Sequence, residues 1–157
     1  MNWAHVHLMI NHVPVIGIPG AILLLLYSLV RKSEEVKLVS FGLFVLIALM
    51  TLAVYFTGEA AQKTVKTLPG VTENLIGQHE ELADLALVLM EALGVLALAG
   101  LIFRRRFGSI PKLVVLLTFI LSLIVAAVAG LTANLGGQIR HTEIRDDAGP
   151  SAVPGRH

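Results

Sequence analysis

Three histidines stand at the head of the chain, in His5-Val-His7-Leu-Met-Ile-Asn11-His12-Val-Pro14, and two more that matter, His79 and His141, lie far along it. Neutral imidazole is a strong ligand for iron, copper and zinc. One histidine from each of two helices would hold the iron of a haem b, and helix bundles build such sites from facing helices. Histidines joined by Glu59, Glu80 or Glu81 would instead suit copper, zinc or a di-metal centre. The chain has no cysteine. That excludes disulfides, iron–sulfur ligation, thiolate nucleophiles and a covalently attached c-type haem.

Spacing restricts which histidines can cooperate. On one continuous helix His5 and His12 share a face, being seven apart, as do His7 and Asn11, four apart. His7 and His12 would point about 140° apart at 100° per residue, so serving one iron together would need a kink. Pro14 and Pro19 supply a reason for one, because each lacks an amide proton and leaves the carbonyl four residues back, at Ile10 and Val15, without its usual partner. The membrane helix either begins near Pro14 or bends there. No tight His-x-x-x-His or Glu-x-x-His pattern occurs, which weighs against a preformed non-haem site on one helix.

The elements that must position these residues are membrane helices. The chain is 55% apolar and 15% charged, with a mean hydropathy of +0.79, whereas globular domains carry about 25% charged residues. Residues 13–30, 38–58 and 113–139 contain no Asp, Glu, Lys or Arg, and 82–103 contain only Asp84 and Glu91. Each run approaches or exceeds the ~20 residues that cross a bilayer as a helix. The expected fold is all-α: an integral membrane four-helix up-down bundle, helices near 8–30, 38–57, 79–103 and 111–135 in one domain of residues 1–145. Residues 146–157, rich in proline, glycine and charge, read as a disordered tail that includes His157.

Orientation follows the basic residues. Arg31, Lys32 and Lys37 follow the first span, and Arg104, Arg105, Arg106 and Lys112 follow the third. The opposite side has Lys63, Lys66, Arg140, Arg145 and Arg156. Seven in short loops against five elsewhere puts both termini outside, extracytoplasmic and periplasmic in a Gram-negative cell. Going down, up, down and up from there, His5, His7, His12, His79 and His141 all reach the outer end. His12 and His79, bordering apolar spans on different helices, make the best pair on sequence alone. Arg140 can meet a haem propionate, and Asn11, Glu59, Glu80 or the backbone can orient the ligating rings.

Several further features sit at this end. Pro69-Gly70 marks a turn between the second and third spans, and Thr72 before Asn74-Leu-Ile suggests a short interfacial helix there. Gly58, and the pair Gly136-Gly137, suit helix ends or a close backbone approach. Glu91 lies deep in the third span, on one stripe with Asp84, and reads equally as a functional carboxylate or a neutral bundle residue.

At these residues the chain resembles a family of small four-helix predicted bacterial membrane proteins of unknown function, whose domain also occurs beside c-type cytochrome and other electron-transfer modules. The matching features are His7-x-x-x-Asn11-His12-x-Pro14, Thr57-Gly58-Glu59-x-Ala61, Leu68-Pro69-Gly70-Val71-x-Glu73…His79-Glu80 and Thr132-Ala-Asn134-Leu-Gly136-Gly137-x-Ile139-Arg140-His141. The resemblance implies His7, His12, His79 and His141 as the functional histidines and an association with electron transfer. The expectation is therefore a membrane b-type cytochrome with one or two haems near the extracytoplasmic face of a bacterial cytoplasmic membrane. It would exchange electrons with a periplasmic cytochrome or the subunits of a larger redox complex, possible oligomers included. The rivals are a copper- or zinc-binding membrane protein and a cofactor-free anchor subunit. No basic block points to nucleic acid, and no nucleophile–base pair or phosphate loop marks the chain as an enzyme on its own.

Overall fold

The computed structural model describes residues 3–65 and 73–140, and these are helical apart from short turns, with no strand among them. Helix α1 (Trp3–Ile10) is followed, after a turn at Asn11, by α2 (His12–Arg31); then come α3 (Glu34–Val65), α4 (Glu73–Phe107) and α5 (Lys112–Arg140). Four helical stretches, His5–Arg31, Glu34–Ala61, Glu73–Phe107 and Lys112–Ile139, are long and apolar enough to cross a membrane.

The connections that are described are tight, which forces antiparallel neighbours. Lys32 adopts the left-handed conformation and returns its amide to the Ser28 carbonyl, while the Ser33 hydroxyl accepts the Val36 amide and so caps the start of α3. Gly108 takes φ 82° and donates to the Arg104 carbonyl, and α5 starts just beyond Pro111. The result is a closed ring in which α2 packs on α3, α3 on α4, α4 on α5 and α5 on α2. Helix α1 breaks the pattern: it packs along α3, touches α2 at their junction, and its backbone approaches no other described helix.

The bundle interior is filled by Ile18, Leu25, Phe41, Phe44, Met90, Leu93 and Val125, all essentially fully buried. Small hydroxyl residues lie among them, and each described hydroxyl hydrogen bond goes to a helix carbonyl: Ser40 crosses to Ala21 O at 2.9 Å, and Thr51 returns to Ile47 O at 2.8 Å. Large apolar side chains cover the outside, including Ile16, Leu23, Val30, Val88, Val95 and Leu113. A soluble bundle would not present such a surface, whereas hydrocarbon accepts it. Close approach of α3 and α4 depends on Gly94, where an added Cβ would lie 2.5 Å from Ala48 Cβ.

The elements differ from sequence expectation at three places. Residues 73–78 are the first turns of α4 and not a separate interfacial helix, because Glu73 suits the helix N-terminus and Gly77 alone does not break it. Helix α3 continues through Gly58, and α5 through Gly136-Gly137, since packing against neighbouring helices outweighs the ~1 kcal/mol that glycine costs a helix interior. The Pro69-Gly70 turn, His141 and the tail lie outside the described residues.

Candidate functional site

His7 leaves α1 toward α3. Its Nδ1 donates to the Val54 carbonyl at 3.0 Å and lies 3.3 Å from Thr57 Oγ1. The ring sits on Gly58, where an added Cβ would be 3.1 Å from His7 Cε1. His79, a turn and a half into α4, does the same against α5: its Nδ1 donates to the Thr132 carbonyl at 3.0 Å, and its ring sits on Gly136, where a Cβ would be 3.2 Å from Cε1. Thr132 also fixes this register, because its hydroxyl lies within hydrogen-bond distance of Leu82 O on α4 and of Val128 O on its own helix.

Both imidazoles are half-buried, and they lie within electrostatic reach of each other. With Nδ1 carrying the proton, Nε2 keeps its lone pair. Among the described residues neither Nε2 has a hydrogen-bond partner. Two half-buried ring nitrogens of this kind, on different helices, are what a metal ion with two protein ligands requires, and the backbone carbonyl behind each ring is the usual means of fixing it.

His12 is placed differently. It is exposed, and its Nδ1 donates to Leu8 O of the preceding turn at 3.0 Å. The break at Asn11 does not swing it toward His7, because the Asn11 amide still bonds His7 O at 2.9 Å and the helical winding continues. The structure therefore half-buries His7 and His79, each against a neighbouring helix, and leaves His12 exposed. His5 is exposed as well. His141 and the side chain of Arg140 fall outside the described residues, although Arg140 ends α5 one turn beyond Gly136.

Asn11, one turn beyond His7, carries a buried amide oxygen with no hydrogen-bond partner among the described residues. Glu59 and Glu81 are exposed, and no group of three or more His, Asp or Glu side chains able to hold a metal ion occurs among the described residues. Sequence reasoning passed over Val54 and named Thr132 only within a motif, since both act through backbone carbonyls that no residue type announces. Gly58 and Gly136 were visible only as possible close approaches.

Deeper in the bundle, Tyr55 on α3 donates to Asp84 Oδ1 on α4 at 2.8 Å. Glu91, two turns farther in, has a buried carboxyl oxygen with no hydrogen-bond partner among the described residues and lies in register with the exposed Val88 and Val95. Removing an unpartnered buried oxygen in favour of an apolar side chain relieves a desolvation penalty of about 1–3 kcal/mol. Glu91→Leu is accordingly expected to raise the unfolding midpoint in detergent; a lowered midpoint would reveal a partner for the carboxyl. An open apolar groove between α2 and α3, lined by Val13, Gly17, Gly20, Leu43, Ile47 and Met50, offers no polar group for chemistry.

Comparison with known protein families, with curated proteins and with solved structures returned no match.

Proposed function

We propose that the chain is a membrane-bound b-type cytochrome, in which His7 and His79 would hold the iron of one haem near the extracytoplasmic end of the bundle. The observation that carries this reading is the pair itself: two half-buried imidazoles on different helices, each tied through Nδ1 to a backbone carbonyl and each with Nε2 unengaged. A haem iron takes two such nitrogens and needs no third protein ligand, which suits a site whose described residues offer no larger metal-binding group.

Haem b supplies reversible one-electron chemistry at its iron. The protein's part is to fix the two ring tautomers, to keep both imidazoles neutral as ligands, and to offer Asn11 and Arg140 to polar substituents at the rim. The basic loops after the first and third spans support an extracytoplasmic setting for this end. Redox exchange would then run to a periplasmic cytochrome or to the outer domains of a larger complex, because one centre at one end makes no path across the bilayer. The chain serves as an electron-transfer subunit in a bacterial cytoplasmic membrane.

The test is a dithionite-reduced minus oxidised spectrum of detergent-purified protein produced with ample haem, together with a pyridine haemochrome count. A sharp low-spin b-type α-band at one haem per chain is expected. Two haems per chain would add a second site beyond the His7–His79 pair. Haem-free protein would overturn the reading, and metal analysis for copper or zinc would then identify what the pair holds.

A further inference from the structure

The two imidazoles are held by the same device. In an α-helix each Cα–Cβ bond tilts toward the N-terminus, so the side chain at one position overhangs the carbonyl four residues earlier. That carbonyl has two lone pairs, one taken by the helix and one free for a further donor, which at Val54 the Thr57 hydroxyl, 2.9 Å away, also reaches. Glycine uncovers the free one. Val54 and Gly58 stand four apart on α3, Thr132 and Gly136 four apart on α5, and in each case the histidine of a neighbouring helix donates to the first residue's carbonyl and rests on the second.

We infer that Gly58 and Gly136 are positioning residues of the site, each admitting one imidazole to a helix carbonyl and so locking it as the Nδ1–H tautomer with Nε2 presented outward. The inference rests on the His7–His79 site of the proposed function, but not on the identity of what binds there. Other glycines do not serve this purpose: nothing lies within 4 Å of a Cβ added at Gly20 or Gly77, and at Gly94 the neighbour is Ala48. A Cβ at 3.1–3.2 Å from a ring carbon moves that ring by a few tenths of an ångström, which lengthens the 3.0 Å bond behind it.

The test is ¹⁵N magnetic resonance of histidine-labelled full-length protein in lipid nanodiscs, prepared without haem, since ring-nitrogen shifts distinguish protonated from bare nitrogens. In the parent protein both His7 and His79 should be Nδ1–H with Nε2 bare. Gly58→Ala should shift only the His7 tautomer ratio, and Gly136→Ala only that of His79, each by about fivefold, the weight of one hydrogen bond. The corresponding leucine variants should shift it further. Gly94→Ala separates positioning from packing: it should lower stability and leave both tautomers unchanged. Parent rings protonated at Nε2, or tautomers indifferent to both glycine substitutions, would overturn the inference. If the tautomers behave as stated while haem-supplied protein retains no haem, the cytochrome reading fails and the positioning role stands.

Discussion

His7→Ala and His79→Ala are each expected to lower the haem content of the purified protein at least tenfold, or to convert the remaining haem to a high-spin form without the sharp reduced α-band. Each substitution deletes a ligand outright, and even changes behind a ligand commonly weaken metal affinity 10–100-fold. His12→Ala should leave the band within about twofold, because His12 is exposed and tied to Leu8 O of the preceding helical turn. The fold should survive in all three. His7 and His79 each contribute one interhelical bond to a backbone carbonyl, a net stabilisation of about 1 kcal/mol. Loss of the band in His12→Ala with its retention in His7→Ala would reassign the ligand to the start of α2.

The second large effect is expected at Gly94. Hydrocarbon gives helices little hydrophobic reason to associate, so membrane bundles depend on close packing at small residues. An added Cβ at Gly94 would meet Ala48 Cβ at 2.5 Å, and both positions are buried on helix backbones that cannot turn away as a flexible side chain can. Gly94→Ala should therefore lower stability by about 1–3 kcal/mol in a detergent unfolding titration. Gly20→Ala, with nothing within 4 Å of the new methyl, should change it little. Ala48→Gly combined with Gly94→Ala restores the space, and the double variant should recover at least half of the loss. Failure to recover would show that the damage is not steric.

That packing bears on the site as well as on the fold. Helix α4 carries His79, and α3 carries the Val54–Gly58 support for His7. A shift of α4 along α3 changes how the two rings stand to each other without touching either ring. Gly94→Ala is expected to weaken haem retention in proportion to its loss of stability, whereas Gly58→Ala should act on the site more than on the fold.

Much of the architecture was legible in the residues alone. Four uncharged or nearly uncharged runs, separated by short basic or turn-forming segments, determine four antiparallel helices, because hydrophobicity is summed locally along the chain and each run must find an apolar environment by itself. The same alternation set His5, His7, His12 and His79 at one end and carried the expectation that His141 joins them. Helix limits were less legible. Glycines at 58, 136 and 137 read as helix ends or as places of close approach; α3 and α5 run through them, because neighbouring helices supply the packing that an isolated segment lacks.

The partner of His79 was a matter for tertiary structure. By sequence His12 borders the apolar span and is the natural choice; in the fold it is His7 that turns onto α3, beside a carbonyl left open by Gly58, while His12 stays on the exposed side of the same winding. Hydropathy determines which residues reach the outer end, but not how far each helix is rotated about its axis. That rotation is set by side chains on neighbouring helices, such as Ala48 against Gly94 and the Thr132 hydroxyl against Leu82 O, between residues tens of positions apart. The sequence thus specifies the set of candidate ligands, and interhelical packing selects the pair.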